Sequence, residues 1–240
     1  MNILIIRHGE PDYENDSITE RGADDARRLA AIIDRYHIDE FYVSPLGRAR
    51  ATIQPSLDRL GVQAEVLPWL REFSVPIRRP DKPDSPIPWD WMPADWTAQE
   101  DFFDEVKWSS VPVMRDAGVP ERLRFVTEHL DAFLADHGYV REGRNYKAVS
   151  PNHKTVAFFC HFGLESILLG HLLHLPVMPL WHGTCALTTS VTKVTTEERQ
   201  DGTACFRMLY FGALPHLWEA GIEPAFAARY VECFSDEGRH

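Results

Sequence analysis

Asn2-Ile3-Leu4-Ile5-Ile6 runs without interruption into Arg7-His8-Gly9-Glu10. So short an apolar run, with no polar alternation, reads as a strand buried on both faces, as in parallel sheets covered by helices. The pattern returns at Thr155-Val156-Ala157-Phe158-Phe159, which ends at Cys160-His161-Phe162-Gly163. In each case a histidine stands just past the strand, and ligands of open α/β sheets bind at the carboxyl ends of strands.

Working outward, a helix is expected from about Thr19, with Ala23, Ala26, Ala30 and Ile33 on one face, widened by Leu29 and Tyr36. Phe41-Tyr42-Val43 reads as a second strand. Ser44-Pro45 then signals a helix start, and Leu46, Ala49, Ile53, Leu57 and Leu60 recur at helical spacing. Ala64-Glu65-Val66-Leu67 suits a third strand. Pro120 suits the opening of a helix carrying Leu123, Val126, Leu130, Phe133 and Leu134. Another helix, with Leu164, Ile167, Leu168, Leu172 and Leu175, should follow His161. Residues 184–194 and 203–210 are β-rich and flank Asp201-Gly202, a hairpin-like pair. Strands alternating with helices predict an α/β three-layer sandwich, a mostly parallel central sheet flanked by helices.

Between residues 74 and 118 the pattern breaks. Pro76, Pro80, Pro83, Pro86, Pro88, Pro93 and Pro112 interrupt it, and Trp89, Trp91, Trp96 and Trp108 stud it. Disordered linkers are poor in aromatics. The segment therefore reads as an inserted cap within a single domain spanning 1–240, with its tryptophans mainly anchoring it. Some of them would line a pocket for an apolar or ring-bearing group, and Arg78 and Arg79 would add positive charge at its mouth.

The chain of 240 residues is 44% hydrophobic and 25% charged, enough for one substantial core. The absence of a long apolar run and of a secretory signal at the start leads to an expectation of cytoplasmic residence. Cys160, Cys185, Cys205 and Cys233 show no CxxC spacing and read as reduced, mostly core thiols. A formal net charge of −11 speaks against nucleic acid or an anionic membrane as partner. Any anion site on so acidic a body needs its own arginines.

Four stretches have the residue types for phosphoryl chemistry. In Arg7-His8-Gly9, an imidazole unprotonated near neutrality is a nucleophile. The arginine fork matches phosphoryl oxygens, and glycine permits close backbone approach. In Ser44-Pro45-Leu46-Gly47-Arg48-Ala49, a helix N-terminus and Arg48 could meet the same anion. Glu72, in Leu70-Arg71-Glu72, could protonate a leaving alkoxide if the site raises its pKa. His161, if protonated, could stabilise charge on a phosphoryl oxygen. Taken singly, each has a plain alternative: a chance tripeptide, a solvated arginine, a structural glutamate, a core histidine. His171, His174 and His182 lie near one another, but no carboxylate or cysteine is suitably spaced for a metal set, so no metal and no cofactor are expected. Asp24-Asp25 and Asp104-Glu105 read as solvated helix faces.

Together, in this order and strand–helix context, the four stretches resemble the histidine phosphatase superfamily (phosphoglycerate mutase-like, branch 1). Ile18-Thr19-Glu20-Arg21-Gly22 is similar to the Leu-Thr-x-x-Gly stretch opening the family's first helix. Tyr210-Phe211-Gly212-Ala213-Leu214-Pro215-His216-Leu217 resembles its late segment ending in His-Leu. The resemblance covers residues 1–73 and about 120–218, leaving out the cap. It implies a mostly parallel α/β sheet and a phosphohistidine intermediate on His8. It further implies phosphate binding by Arg7, His8, Arg48 and His161, Glu72 as proton donor and later base, and no metal. The substrate would be a small phosphate monoester or a phosphoprotein.

The chain also departs from the family. Where many members carry an asparagine after Arg-His-Gly-Glu, this chain has Tyr13-Glu14, and Glu14 would repel an anion. Asp12 and Phe162 replace the Arg and Asp of the acid phosphatase and phytase branch. Phe73-Ser74-Val75-Pro76 stands where the glycolytic mutases have Arg-His-Tyr-Gly. Hydrolysis is thereby favoured over two alternatives, a phosphotransferase or mutase and a silent phospho-ligand binding protein.

Overall fold

A computed structural model describes residues 1–225 and Phe234. In chain order the elements are β1 (Asn2–Arg7), β2 (Pro11–Asp12), β3 (Ser17–Ile18), α1 (Glu20–Ile32), β4 (Glu40–Val43), α2 (Gly47–Leu60), β5 (Ala64–Val66), α3 (Pro93–Thr97) and α4 (Pro112–Arg115). They continue with α5 (Val119–Asp136), β6 (Tyr139–Glu142), β7 (Asn145–Ala148), β8 (Thr155–Cys160), α6 (Phe162–Leu173), α7 (Val177–Gly183), β9 (Val191–Gln200), β10 (Thr203–Ala213) and α8 (Pro215–Trp218).

The central sheet has eight strands in the order β5-β4-β8-β1-β9-β10-β7-β6. Pairing is parallel from β5 through β1 and antiparallel from β1 through β6. Only β9 and β7 run against the rest, so the sheet is mixed and mostly parallel in direction. β2 and β3 form a separate two-stranded ladder.

Burial follows the pleat. Ile3 and Ile5 of β1 join one apolar cluster, with Val156 and Phe158 of β8, Val126 and Leu130 of α5 and Leu164 and Ile167 of α6. Leu4 and Ile6 face the opposite cluster, with Ala157, Phe159, Leu29, Ile33, Ala49 and Ile53, beneath α1 and α2. Each such aliphatic, removed from water, contributes roughly 1.5–3 kcal/mol. The cap segment shares the first cluster through Val75, Ile77, Trp91, Phe102, Trp108 and Met114. No helix among the described residues is long and apolar enough to cross a membrane.

Several local expectations are corrected. Thr19 does cap α1, its side chain accepting from Gly22 N. Ser44, however, is not a helix cap, because α2 begins at Gly47 with Leu46 in the cap position. α6 ends at Leu173, since His174 takes a left-handed conformation that closes the helix, and Leu175 is exposed beyond it. Residues 184–190 precede β9 and are not strand. Asp25 is fully buried and bonded to Arg21, not solvated. Asp104 is half-buried and lies outside any helix, accepting from Val106 N and Lys107 N, while Glu105, also half-buried, pairs with Arg144 and His174. Cys160 is a core thiol, whereas Cys185 and Cys205 are only half-buried. Cys233 lies outside the described residues.

Candidate active site

The meeting of the two histidines follows from strand register. β1 and β8 pair in parallel with Arg7 opposite Cys160, and His8 N continues the ladder by donating to Cys160 O at 3.0 Å. His8 and His161, the next residue on each strand, therefore stand side by side, their ring centroids 5.1 Å apart. Both are buried.

His8 is held by one bond, its Nδ1–H donating to Gly9 O at 2.7 Å. A neutral ring so tautomerised carries its lone pair on Nε2. Gly9 itself is pinned, its N donating to Thr52 Oγ1 at 2.8 Å while Thr52 donates on to Arg48 O. A Cβ on Gly9 would lie 2.9 Å from Gly22 O, so the close approach requires glycine.

Arg7 is anchored by Nη1 donating to Ala186 O at 2.5 Å, and Arg48 by Nη1 donating to Asp16 Oδ1 at 3.0 Å. Arg7 Nε and Arg48 Nε are buried without a protein partner, as is His161 Nδ1. His161 Nε2 is 2.7 Å from Ser44 Oγ. With the serine hydroxyl donating to Nε2, the ring's proton sits on Nδ1.

Glu72 meets the N-terminus of α6. Its Oε1 accepts from Phe73 N at 2.7 Å and Leu164 N at 2.9 Å, and Oε2 accepts a longer bond from Gly163 N at 3.4 Å. Burial raises its pKa nonetheless, against the pull of those amides and of Arg48 and Arg7. Burial, then Arg7 and Arg48, hold the His8 pKa well below the ordinary imidazole value. Burial and neighbouring His8, Arg48 and Arg7 do the same to His161, which favours its neutral form.

Arg7, His8, Arg48 and Glu72 line one cavity of about 550 Å³, and His161 lies fully buried beside His8. The cavity's other walls include Arg71, Tyr13, Asp16 and, from the cap, Pro86, Ile87 and Trp89. Glu14 is exposed and not among them. Asp16 is an acid on the cavity wall and also accepts from Gly47 N at 2.7 Å. Arg79 is not at the mouth. It is buried, bonded to Asp81 at 3.0 Å and to the carbonyls of Trp89 and Asp90, where it holds the cap loop together.

Sequence reasoning missed Ser44, Thr52, Asp16 and Arg71, because a serine before proline or a threonine inside a helix carries no distinctive pattern. It also missed Glu165 of α6, whose buried carboxyl is pushed up to about 7 by desolvation, partly offset by a bond from Thr192. His216 supports the site from behind, its Nε2 2.8 Å from Thr189 Oγ1, while Thr189 N donates to His8 O. His171 pairs with Asp131, His174 with Glu105, and His182 accepts from Trp91 N. Among the described residues no cluster of three or more such side chains could hold a metal.

The model of the histidine phosphatase superfamily, branch 1, matches residues 3–111. Over that stretch, 109 of the chain's 240 residues, the chain is similar to that superfamily. The matched span runs through most of the cap segment, further than the sequence resemblance reached, and stops before residues 120–218. The adenosylcobalamin/alpha-ribazole phosphatase of Salmonella typhi is 23% identical over 196 residues, 76% of this chain and 84% of that protein. A phosphoserine phosphatase mutant from Entamoeba histolytica, in complex with phosphoserine, superposes with a TM-score of 0.59 at 16% identity, covering 90% of this chain and 98% of its own. A mycobacterial glucosyl-3-phosphoglycerate phosphatase in complex with VO3 gives 0.52 at 19% identity, covering 88% and 98%. At these identities the structural likenesses establish the fold.

Proposed function

We propose that this histidine phosphatase-fold chain hydrolyses phosphate monoesters through a phosphohistidine on His8. The observation that carries the reading is the set of three buried donors without protein partners, Arg7 Nε, Arg48 Nε and His161 Nδ1, on the residues surrounding an imidazole whose Nε2 bears the lone pair. Buried donors left unpaired are costly, and a tetrahedral anion at Nε2 would satisfy them.

In the first step His8 Nε2 attacks phosphorus and the bond to the ester oxygen breaks. Glu72, whose pKa burial raises, gives its proton to the departing alkoxide. In the second step the resulting Glu72 carboxylate takes a proton from water, the water oxygen attacks phosphorus, and the P–N bond breaks. Arg7, Arg48 and the His161 Nδ1–H donate to the non-bridging oxygens throughout, stabilising charge as it spreads. The chain itself supplies each of these groups, and the proposed reaction uses no metal or cofactor. The substrate is a small phosphate monoester, with a phosphoprotein the other candidate. Residues 74–118 act as a cap on a single domain and shape the leaving-group side.

The test is hydrolysis of a generic aryl phosphate in EDTA, beside His8→Ala. Phosphate release by the wild type alone supports the reading. Transfer to an added acceptor instead of water would favour a phosphotransferase. An inert wild type that still binds phosphate esters would favour a silent binding protein.

A further inference from the structure

A larger cavity, of about 720 Å³, lies within the cap and is not part of the catalytic pocket described above. Its walls are mostly apolar, with Pro76, Ile77, Pro83, Pro86, Val113 and Ala117 beside four polar or charged residues. Pro86 lines both cavities. One ribbon borders both. Residues 74–78 and 83–87 run antiparallel, joined by an isolated bridge in which Ile77 N donates to Ser85 O at 2.8 Å. Ser74 and Ile87, at one end of this ribbon, face the catalytic cavity, whereas Arg78 and Pro83, at the other, face the cap cavity.

The charged groups on the cap cavity are Arg78, Asp84 and Asp116, a balance that offers nothing to a second anionic group. The catalytic cavity, by contrast, carries Arg7, Arg48 and Arg71. Resting on the phosphatase reading, we propose that the cap cavity is the leaving-group subsite, and that it selects phosphate monoesters of large, uncharged, apolar, ring-bearing alcohols. Its volume falls within the range of sites that enclose an organic group of that size. The phosphate seats at His8 and the apolar body extends past Pro86 onto the proline and aliphatic walls.

Phenyl phosphate and 4-biphenylyl phosphate test this directly, because their phenols are similar leaving groups and differ by one apolar ring. Wild-type kcat/KM should be at least about tenfold higher for the biphenylyl ester, as expected for burying a ring. Ala117→Trp, filling the cavity, should erase that advantage while leaving phenyl phosphate turnover unchanged, which also shows that the variant is folded. Binding of both esters to His8→Ala by calorimetry reads the subsite without turnover, and should show the same preference. Equal kcat/KM with equal affinities, or a larger gain for 3-phosphoglycerate than for the biphenylyl ester, would overturn the subsite. Preferential binding of the biphenylyl ester with no hydrolysis of either would leave the subsite standing and sink the phosphatase reading.

Discussion

His8 donates its Nδ1–H to the carbonyl oxygen of Gly9 across 2.7 Å, and this bond leaves the ring's lone pair on Nε2, the atom proposed as nucleophile. Burial and the flanking Arg7 and Arg48 hold the imidazole well below its ordinary pKa of 6.5, which keeps that atom unprotonated in mildly acidic solution. The acid limb of the kcat/KM profile should accordingly fall below pH 6.5, with activity retained as pH drops through that value. A pH–rate profile checks it. A limb at or above 6.5 would contradict the burial argument.

In the proposed mechanism Glu72 governs the other limb. Its pKa is raised by burial, so it holds its proton above the usual carboxylate range and loses it as pH rises. Glu72→Gln should lower kcat on an alkyl phosphate by about 10²–10⁴-fold and remove the alkaline limb. With 4-nitrophenyl phosphate, whose leaving group needs no proton, the loss should be much smaller. An equal loss on both esters would argue against proton donation.

Ser44 sits 2.7 Å from His161 Nε2, and in the proposed mechanism its hydroxyl donates there and so fixes the tautomer with a proton on Nδ1. Ser44→Ala should lower kcat roughly tenfold, because one donor to the phosphoryl oxygens is no longer oriented. It should also cost about 1–3 kcal/mol of stability, by leaving a buried ring nitrogen unpaired. Steady-state kinetics beside urea denaturation separates the two effects. Destabilisation with unchanged kcat would leave Ser44 a merely structural role.

These site relationships were unevenly legible in the sequence. The apolar runs at residues 2–6 and 155–159 disclosed β1 and β8, since strands buried on both faces leave no polar alternation. Their parallel register then juxtaposes His8 and His161, a pairing that no local pattern encodes. The β6–β7 hairpin went unread because only Tyr139 and Tyr146 are buried among its residues. Arg79 was misplaced for a related reason: an arginine in a proline-rich loop looks solvated until two backbone carbonyls close on it. Asp25 reads as one of a surface pair, and only packing of α1 shows its carboxylate to be buried beside Arg21.

Glu165 offers a test of the buried electrostatics that is separate from catalysis. Its carboxyl stays protonated in the folded chain to about pH 7, whereas the unfolded chain releases that proton near 4.5. Stability linked to this group is complete below 4.5 and declines as pH rises to 7. Glu165→Gln, which cannot ionise, should be more stable than the wild type at about pH 8, by up to about 3 kcal/mol, and nearly equal to it at about pH 4. Urea denaturation at the two pH values measures the difference. A gap that does not change with pH would contradict the assignment.

The most direct measurement concerns the covalent intermediate. The enzyme is mixed with excess aryl phosphate, quenched in alkali and digested, and the peptides are sequenced by mass spectrometry. One phosphoryl group should be found on the imidazole of residue 8, stable in base, lost in acid and missing from His8→Ala, whose turnover should fall on the order of 10³-fold or more. Phosphate on another side chain, or wild-type turnover by His8→Ala, would contradict the mechanism.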